Sequence, residues 1–195
     1  MMVYMTLLVL IVGSAMVVML MANQFFSSTL DNNAVQREAQ TTMMRLSREL
    51  EESKEGQVLF SGVGEPKGVI FISPRDEYGE YHYDFGGEGL LYWQKWVCYF
   101  VKEEGHKQKL IRAERIVPPT TDPSPTTWTT TDFQGETRQE IVSNDLLSFQ
   151  IAPDPLIGNT FNIEATFGRE GKTNRTDGDR VAERVAIENS VHLRN

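Results

Sequence analysis

Charged residues are missing from the first 30 positions of this 195-residue chain, and the first of them is Asp31. No proline precedes Pro66, and Gly13 is the only glycine before Gly56. A helix of about 20 apolar residues crosses the roughly 30 Å hydrocarbon layer of a bilayer, where it satisfies its own backbone hydrogen bonds. The uncharged run Met1 to Phe26 therefore predicts a membrane-inserted helix.

A cleaved secretory signal is the alternative interpretation of this run. Such signals begin with a basic segment, continue with a shorter apolar segment and end at a cleavage site of small residues. Here no Lys or Arg precedes the run, the run is longer than a signal needs, and Ser27-Ser28-Thr29-Leu30 offers no obvious cleavage site. The sequence favours a retained helix.

Residues that carry chemistry are scarce. Cys98 is the single cysteine, which excludes an intrachain disulfide, and its place in an aromatic stretch predicts a buried, inert thiol. His82, His106 and His192 lie on separate predicted elements, without the spacing of zinc ligands. We therefore predict no catalytic residue, no metal site, no cofactor and no enzyme activity. The acidic, Gly-rich segment 169–180 lacks the ligand spacing of a calcium loop, but a loose calcium site there stays an open alternative.

The charge balance limits the partners. The formal net charge is -8, and every charge lies beyond position 30. An acidic surface argues against binding of nucleic acid. After the helical segment, roughly 140 residues remain, which suffices for one domain with its own core.

The helical pattern continues past the apolar run. Apolar residues recur at steps of three and four, which is typical of an amphipathic helix. We predict one helix of about 50 residues, roughly 75 Å long, with residues 1–28 as its transmembrane or filament-core half and residues 29–55 as its amphipathic half. The residues predicted to pack on the rest of the chain are Leu30, Val35, Ala39, Met43, Leu46 and Leu50.

Residues 56–195 predict an antiparallel β-rich globular domain, so the fold class is α+β. Apolar and polar residues alternate there with a period of two. The segment Leu90 to Val101 predicts a central strand that is buried on both faces for part of its length. Residues 118–131, with four prolines, predict an extended surface loop; glycosylation of its threonines stays open. The predicted strands are Gln57–Ser61, Val69–Ser73, Glu80–Phe85, Leu90–Val101, Lys109–Val117, Ile141–Ile151, Phe161–Phe167 and Val181–Leu193.

Several stretches resemble a known family. They are Phe25–Ser28 at the membrane exit, Thr42–Leu50 in the helix, Trp96–Val101 with Leu110–Glu114, Asn144–Phe149, and the closing Ser190–Asn195. Together with the two-part helix, they resemble the type IV pilin and type II secretion pseudopilin family, in particular its J-type and W-type minor subunits. The resemblance implies a long N-terminal helix packed on an antiparallel sheet.

The resemblance also implies a structural role. Such subunits sit in the inner membrane, meet assembly platform proteins and join other pilin-like subunits in a periplasmic or extracellular filament, through the N-terminal helices. Whether that filament is a pilus, a secretion pseudopilus or part of a DNA-uptake machine stays open. The filament-core residues implied by the resemblance are Met1, Tyr4, Met5, Leu7, Leu8, Leu10, Ile11, Gly13, Val17, Leu20, Phe25 and Phe26.

One position departs from the family pattern. Met5 stands where the family carries Glu, and no basic leader precedes the apolar run. If Met1 is the processed first residue, the resemblance implies that its amine is N-methylated; if Met1 is the start of translation, that implication fails. Loss of the Glu favours a minor subunit near the filament tip, with a major subunit as the alternative.

Two other functions compete with the filament subunit. A solitary, membrane-anchored extracytoplasmic binding domain requires the same anchor and the same β-domain. A membrane-anchored enzyme requires a catalytic site, for which the sequence offers no candidate.

Overall fold

A computed structural model describes residues 2–62, 64–84, 86, 89–105, 107–124, 127–170 and 182–193 of the chain. The architecture is α+β, with one long N-terminal helix and one seven-stranded antiparallel sheet. Helix α1 spans Met2–Glu51, and a short 3-10 helix, η1, spans Thr130–Phe133. The strands are β1 Val58–Phe60, β2 Gly68–Ser73, β3 Trp93–Glu104, β4 Lys107–Thr120, β5 Gln139–Pro153, β6 Thr160–Glu170 and β7 Ala182–His192.

The sheet is a meander, in which each strand pairs with the next one along the chain. Strand β5 is shared between two parts of the sheet, because residues 139–146 pair with β4 and residues 146–153 pair with β6. Register shifts lie on both sides of this junction, and such irregularities bend a strand. The rings of Phe60 in β1 and Phe161 in β6 lie 5.6 Å apart, although four strands separate them in the sheet order. The sheet is therefore strongly curved.

Helix α1 packs on the sheet through one stripe of its second half. Val35, Ala39, Met43, Leu46 and Leu50 are all buried in a core that contains side chains of β2, β3, β4, β5, β6 and β7. Because these five residues recur at steps of three and four, they lie on one side of the helix. The described part of the helix before Val35 makes no contribution to this core.

The prediction that Leu30 packs on the sheet is wrong, because this residue does not belong to the packed stripe. Its side chain is 69% exposed. Leu30 precedes Val35 by five residues, and at about 100° per residue it points roughly 140° away from Val35 around the helix axis. Leu30 therefore lies near the outer side of the helix.

The middle of strand β3 is buried on both faces. Val97, Tyr99 and Val101 face the helix side, whereas Trp96 and Cys98 join a second core on the opposite face. This second core is covered by the connection between β4 and β5, which contributes a partly buried tryptophan and a buried phenylalanine of η1. Two cores therefore sandwich the centre of the sheet.

Trp93 lies on the face opposite to the one that strict alternation predicts. Counting residues places it with Val97, but its side chain packs against the core that contains Cys98. The pairing of β3 with β4 shifts between Trp93 and Lys95, and a shift of one residue moves a side chain to the other face.

The segment Glu80–Phe85 was predicted to be a strand, and in its described residues it forms only isolated bridges, Arg75 with Tyr81 and Tyr83 with Leu91. The Asp76 carboxylate accepts hydrogen bonds from the backbone N–H groups of Tyr78 and Glu80. Such local bonds compete with strand pairing. A turn therefore replaces the first part of the predicted strand, and Phe85 lies outside the described residues.

The segment 118–131 is shorter as a loop than predicted. Pro118 to Thr120 still belong to β4, and Thr130 begins η1. The described residues between them form no helix or strand. Most of the segment considered for calcium, residues 171–180, and His106 lie outside the described residues.

Candidate functional site

The first half of α1 is an uncovered apolar rod. It is long and apolar enough to cross a membrane, and its most apolar window has a mean hydropathy of 2.5 with no residue buried inside the molecule. Two of its hydroxyl groups bond within the helix, since Thr6 Oγ1 donates to Val3 O and Ser14 Oγ donates to Ile11 O. Hydroxyl groups that are satisfied in this way suit an environment without water.

The described residues among those implied to form a filament core all lie on this rod. Gly13 has open space where a side chain would extend, and Phe25 contacts Phe26 edge to face, with 6.4 Å between ring centroids. Met1 lies outside the described residues. A contiguous apolar surface of this size marks a protein or lipid contact. The exposed members are Tyr4, Met5, Leu7, Leu8, Leu10, Ile11, Val17, Leu20, Phe25 and Phe26.

The second half of α1 is held to the sheet by a buried group of charges, which we call the ion network. The Glu49 carboxylate accepts hydrogen bonds from Arg112 Nε at 2.9 Å and from the Tyr99 hydroxyl at 3.1 Å. Arg45 Nε also donates to Glu49, at 3.3 Å. A buried carboxylate is tolerated only when it is paired in this way.

The ion network extends across three strands. Arg45 binds both carboxylate oxygens of Glu140 in β5, at 2.9 and 2.8 Å. In β4, Arg112 contacts Glu114 at 2.5 Å, and Glu114 also accepts a hydrogen bond from Lys95 of β3 at 2.8 Å. One turn of the helix is thereby connected to β3, β4 and β5.

Burial and pairing oppose each other in the pKa values of this network. Burial acts to lower the pKa of Arg112, but the neighbouring Glu49 and the other acidic groups outweigh it, so that the pKa rises above its ordinary value. Burial, and next the Glu49 carboxylate, raise the pKa of Tyr99. Arg112 therefore remains charged and Tyr99 remains a hydrogen-bond donor at neutral pH.

The ion network was not predicted from the sequence. The only available signal was the position of Arg45 and Glu49 beside Leu46 and Leu50, on the border of the apolar stripe. Amphipathic helices often carry solvated charges at that border, so the pattern alone does not separate a buried pair from a solvated one.

A second polar cluster surrounds Asp76. Ligand atoms of Asp76, Glu80 and His82 lie within 4.8 Å of one another, and His82 Nε2 lies 2.9 Å from Asp76 Oδ2. The backbone N–H of Glu80, and next His82, lower the pKa of Asp76 to about 2. Each oxygen of this carboxylate already has a partner within the turn, so the cluster is accounted for as a stabilised turn.

Cys98 is buried in the second core. Burial raises the pKa of its thiol well above the ordinary value. A thiol in this state is a poor nucleophile, because the thiolate is the reactive form.

Comparisons of the chain with protein-family models, with curated proteins and with solved structures find no match. The functional conclusion therefore depends on the uncovered rod, the ion network and the sequence stretches themselves.

Proposed function

We propose that this protein is a pilin-like structural subunit of a type IV filament, either a pilus or a secretion pseudopilus. The observation that carries the proposal is a single helix with two environments. Its first half is apolar and exposed on nearly all sides, and its second half is fixed to a β-domain. The first half would lie in the inner membrane before assembly and against like helices in the filament afterwards.

The dimensions of the rod support the membrane stage. Residues 2–26 span about 37 Å at 1.5 Å per residue, which exceeds the roughly 30 Å of a hydrocarbon core. Transfer from lipid to protein gains little hydrophobic energy, so packing of side-chain shapes must drive the second stage. Gly13 and the nearby small residues Ser14 and Ala15 would allow neighbouring helices to approach closely.

The attachment of the second half supports a repeating assembly. The five buried residues of the stripe and the ion network both fix α1 to the sheet. A subunit whose rod has a defined orientation relative to its domain can be added repeatedly with the same geometry. A flexible tether would serve an anchored binding domain equally well and would not need this attachment.

Met5 supports a position near the filament tip. A charge buried in an apolar filament core without a partner costs several kcal/mol. Where the related family carries Glu, this chain offers an apolar side chain, which needs no partner amine from a preceding subunit. We propose a minor, tip-proximal subunit that is delivered by assembly platform proteins and ends in a periplasmic or extracellular filament.

The experiment that tests the proposal is Gly13→Leu in the full chain. Nothing lies within 4 Å of a Cβ atom added at Gly13, so a larger side chain has room to leave the helix there and would disturb the approach of a neighbouring helix. We expect less protein in sheared filament fractions and an unchanged tryptophan fluorescence spectrum of the β-domain. Val12→Leu, which adds one carbon at an exposed position of the same rod, is the control.

A normal filament yield with Gly13→Leu would refute the close approach of helices at this position. Recovery of the parent protein only from membranes, without cross-links between rods carrying Gly13→Cys, would favour the anchored binding domain instead.

A further inference from the structure

The outer side of the amphipathic half carries a stripe that no described residue covers. Leu30, Arg37, Met44 and Arg48 follow one another at steps of seven, seven and four, so they lie within about 40° of each other around the axis. This outer stripe is opposite to the buried stripe around Val35. Met44 is 73% exposed, and Arg37 and Arg48 are exposed as well. Among the described residues Arg37 has no ion-pair partner, whereas Arg48 interacts electrostatically with Glu52.

An acidic pair lies on the outer face of β6 and β7. Glu164 and Glu188 are directly opposite each other in the register of the two strands, and both are exposed. Like charges in directly opposite positions destabilise a sheet. Among the described residues, neither carboxylate has an ion-pair partner. A cation placed between the two carboxylates would remove this repulsion.

The outer stripe and the acidic pair face opposite directions. Asn189, the neighbour of Glu188, points to the helix, because its Nδ2 donates to Ser47 Oγ at 2.6 Å. Ile163 beside Glu164 is likewise buried in the core under the helix. The helix therefore covers one face of β6 and β7, and the acidic pair lies on the other. The two surfaces of one copy cannot meet each other.

We propose that the outer stripe of one copy docks on the outer face of β6 and β7 of a second copy, with an arginine between Glu164 and Glu188. Charge complementarity identifies the occupant. The stripe exposes two guanidinium groups, of which Arg37 has no ion-pair partner among the described residues, and the sheet face exposes two carboxylates that have none. Arg37 and Arg48 are about 16.5 Å apart along the helix, so one of them meets the pair, and Leu30 and Met44 add apolar contact.

This docking rests on the filament assembly in the proposed function and gives it a second interface. It requires several copies of this chain next to one another, so it departs from the position of a single copy at the tip. Each copy would use a different surface toward each neighbour, which is a heterologous contact that continues into a filament or a ring. The rods would then be held together by shape, and the domains by charge.

The test is a charge swap read by cross-linking in the full, membrane-inserted chain. Met44→Cys and Ala186→Cys place thiols in the outer stripe and two residues from Glu188, while Cys98 is buried. We expect oxidation to give a ladder beyond dimers when both cysteines are present, and at most dimers with either alone. Arg37→Glu with Arg48→Glu, or Glu164→Lys with Glu188→Lys, should each reduce the ladder about tenfold.

The variant that combines both reversals is the decisive test of the docking. With all four charges exchanged, the ladder should return to within about twofold of the parent, because complementarity is restored. The milder pair Glu164→Gln with Glu188→Gln keeps the test valid if a lysine pair unfolds the strands. Reversing Arg37 and Arg48 separately shows which arginine meets the acidic pair.

Two results would overturn the docking: a ladder that single-surface reversals leave unchanged, or no recovery in the combined variant. Neither result concerns the interface between rods. If the amount of Gly13→Leu protein in sheared filament fractions is still reduced, the proposed function remains supported even when the docking is rejected. A Gly13→Leu protein with normal filament yield would reject the rod interface separately.

Discussion

Replacing Glu49 by glutamine tests whether the ion network holds α1 to the sheet. The substitution keeps the shape of the side chain and removes its charge. Arg112 and Tyr99 would lose the carboxylate that accepts their hydrogen bonds at 2.9 and 3.1 Å, and both are almost entirely buried. Water therefore cannot easily replace the charged hydrogen-bond acceptor that these two groups would lose.

The expected loss of stability follows from this geometry. Removing one partner of a buried ion pair costs about 3–5 kcal/mol. Arg112 keeps its contact with Glu114, and the amide oxygen of glutamine can still accept one hydrogen bond, so we expect a somewhat smaller loss, about 2–4 kcal/mol. For a domain of this size, each kcal/mol corresponds to roughly 2–4 °C in the unfolding temperature.

The assay is urea unfolding of the full chain in detergent micelles, followed by tryptophan fluorescence, with amide hydrogen exchange of residues 35–50 as a local measurement. Glu164→Gln is the matched control, because it makes the same chemical change at an exposed position; we expect it to stay within about 0.5 kcal/mol of the parent. Faster exchange in the helix should accompany the loss of global stability in Glu49→Gln.

A Glu49→Gln protein within about 0.5 kcal/mol of the parent would refute the reasoning. The apolar stripe alone would then account for the attachment of the helix, and the ion network would contribute only to its register.

Three further predictions concern the β-domain. Gly68→Ala should destabilise it by about 2–3 kcal/mol, because the added carbon would lie 2.3 Å from Tyr99 O; Gly135→Ala, with nothing within 4 Å, should be neutral, and equal urea midpoints would contradict this. Cys98 should react with iodoacetamide only as fast as the domain unfolds; rapid labelling of native protein would show an accessible thiol. The pKa of Asp76 is lowered from 3.8 to about 2, so its stabilising effect is complete above about pH 4 and disappears as the pH falls through 2. Asp76→Asn should lower the unfolding temperature at pH 6 and flatten its decline between pH 4 and 2; parallel curves would contradict the assignment.

The helix and most strands could be predicted from local patterns. A proline-free run with a period near 3.6 predicts α1. Alternation predicts eight strands, of which seven are present in the sheet, and most of their ends are correct to within a few residues. These features depend on neighbouring residues in the chain, so the sequence contains them directly. The outward position of Leu30 also follows from counting 100° per residue from Val35, and the wrong assignment came from extending the stripe by one step too many.

Other features depend on which strands become neighbours. The face of Trp93 is set by a shift in the pairing of β3 with β4, and nothing in the composition of either strand marks that shift. The ion network needs Glu49, Arg112 and Glu140, which lie on three elements far apart in sequence. Only a known strand order places Arg112 and Glu140 opposite each other.

The two interfaces proposed for this subunit depend on different interactions, apolar packing between the rods and charge contacts between the domains. Their dependence on ionic strength therefore distinguishes them. Between Phe26 and Val35, the described side chains are exposed, so about 12 Å of helix holds the β-domain away from whatever covers the rod. The outer stripe and the acidic pair are then accessible to a neighbouring copy while the rods are still in lipid. Packing of uncharged rods does not depend on salt, whereas exposed charges are screened within about 10 Å at 0.1 M and about 3 Å at 1 M salt. If both interfaces exist, high salt should abolish the cross-links between Met44→Cys and Ala186→Cys and leave those between rods intact.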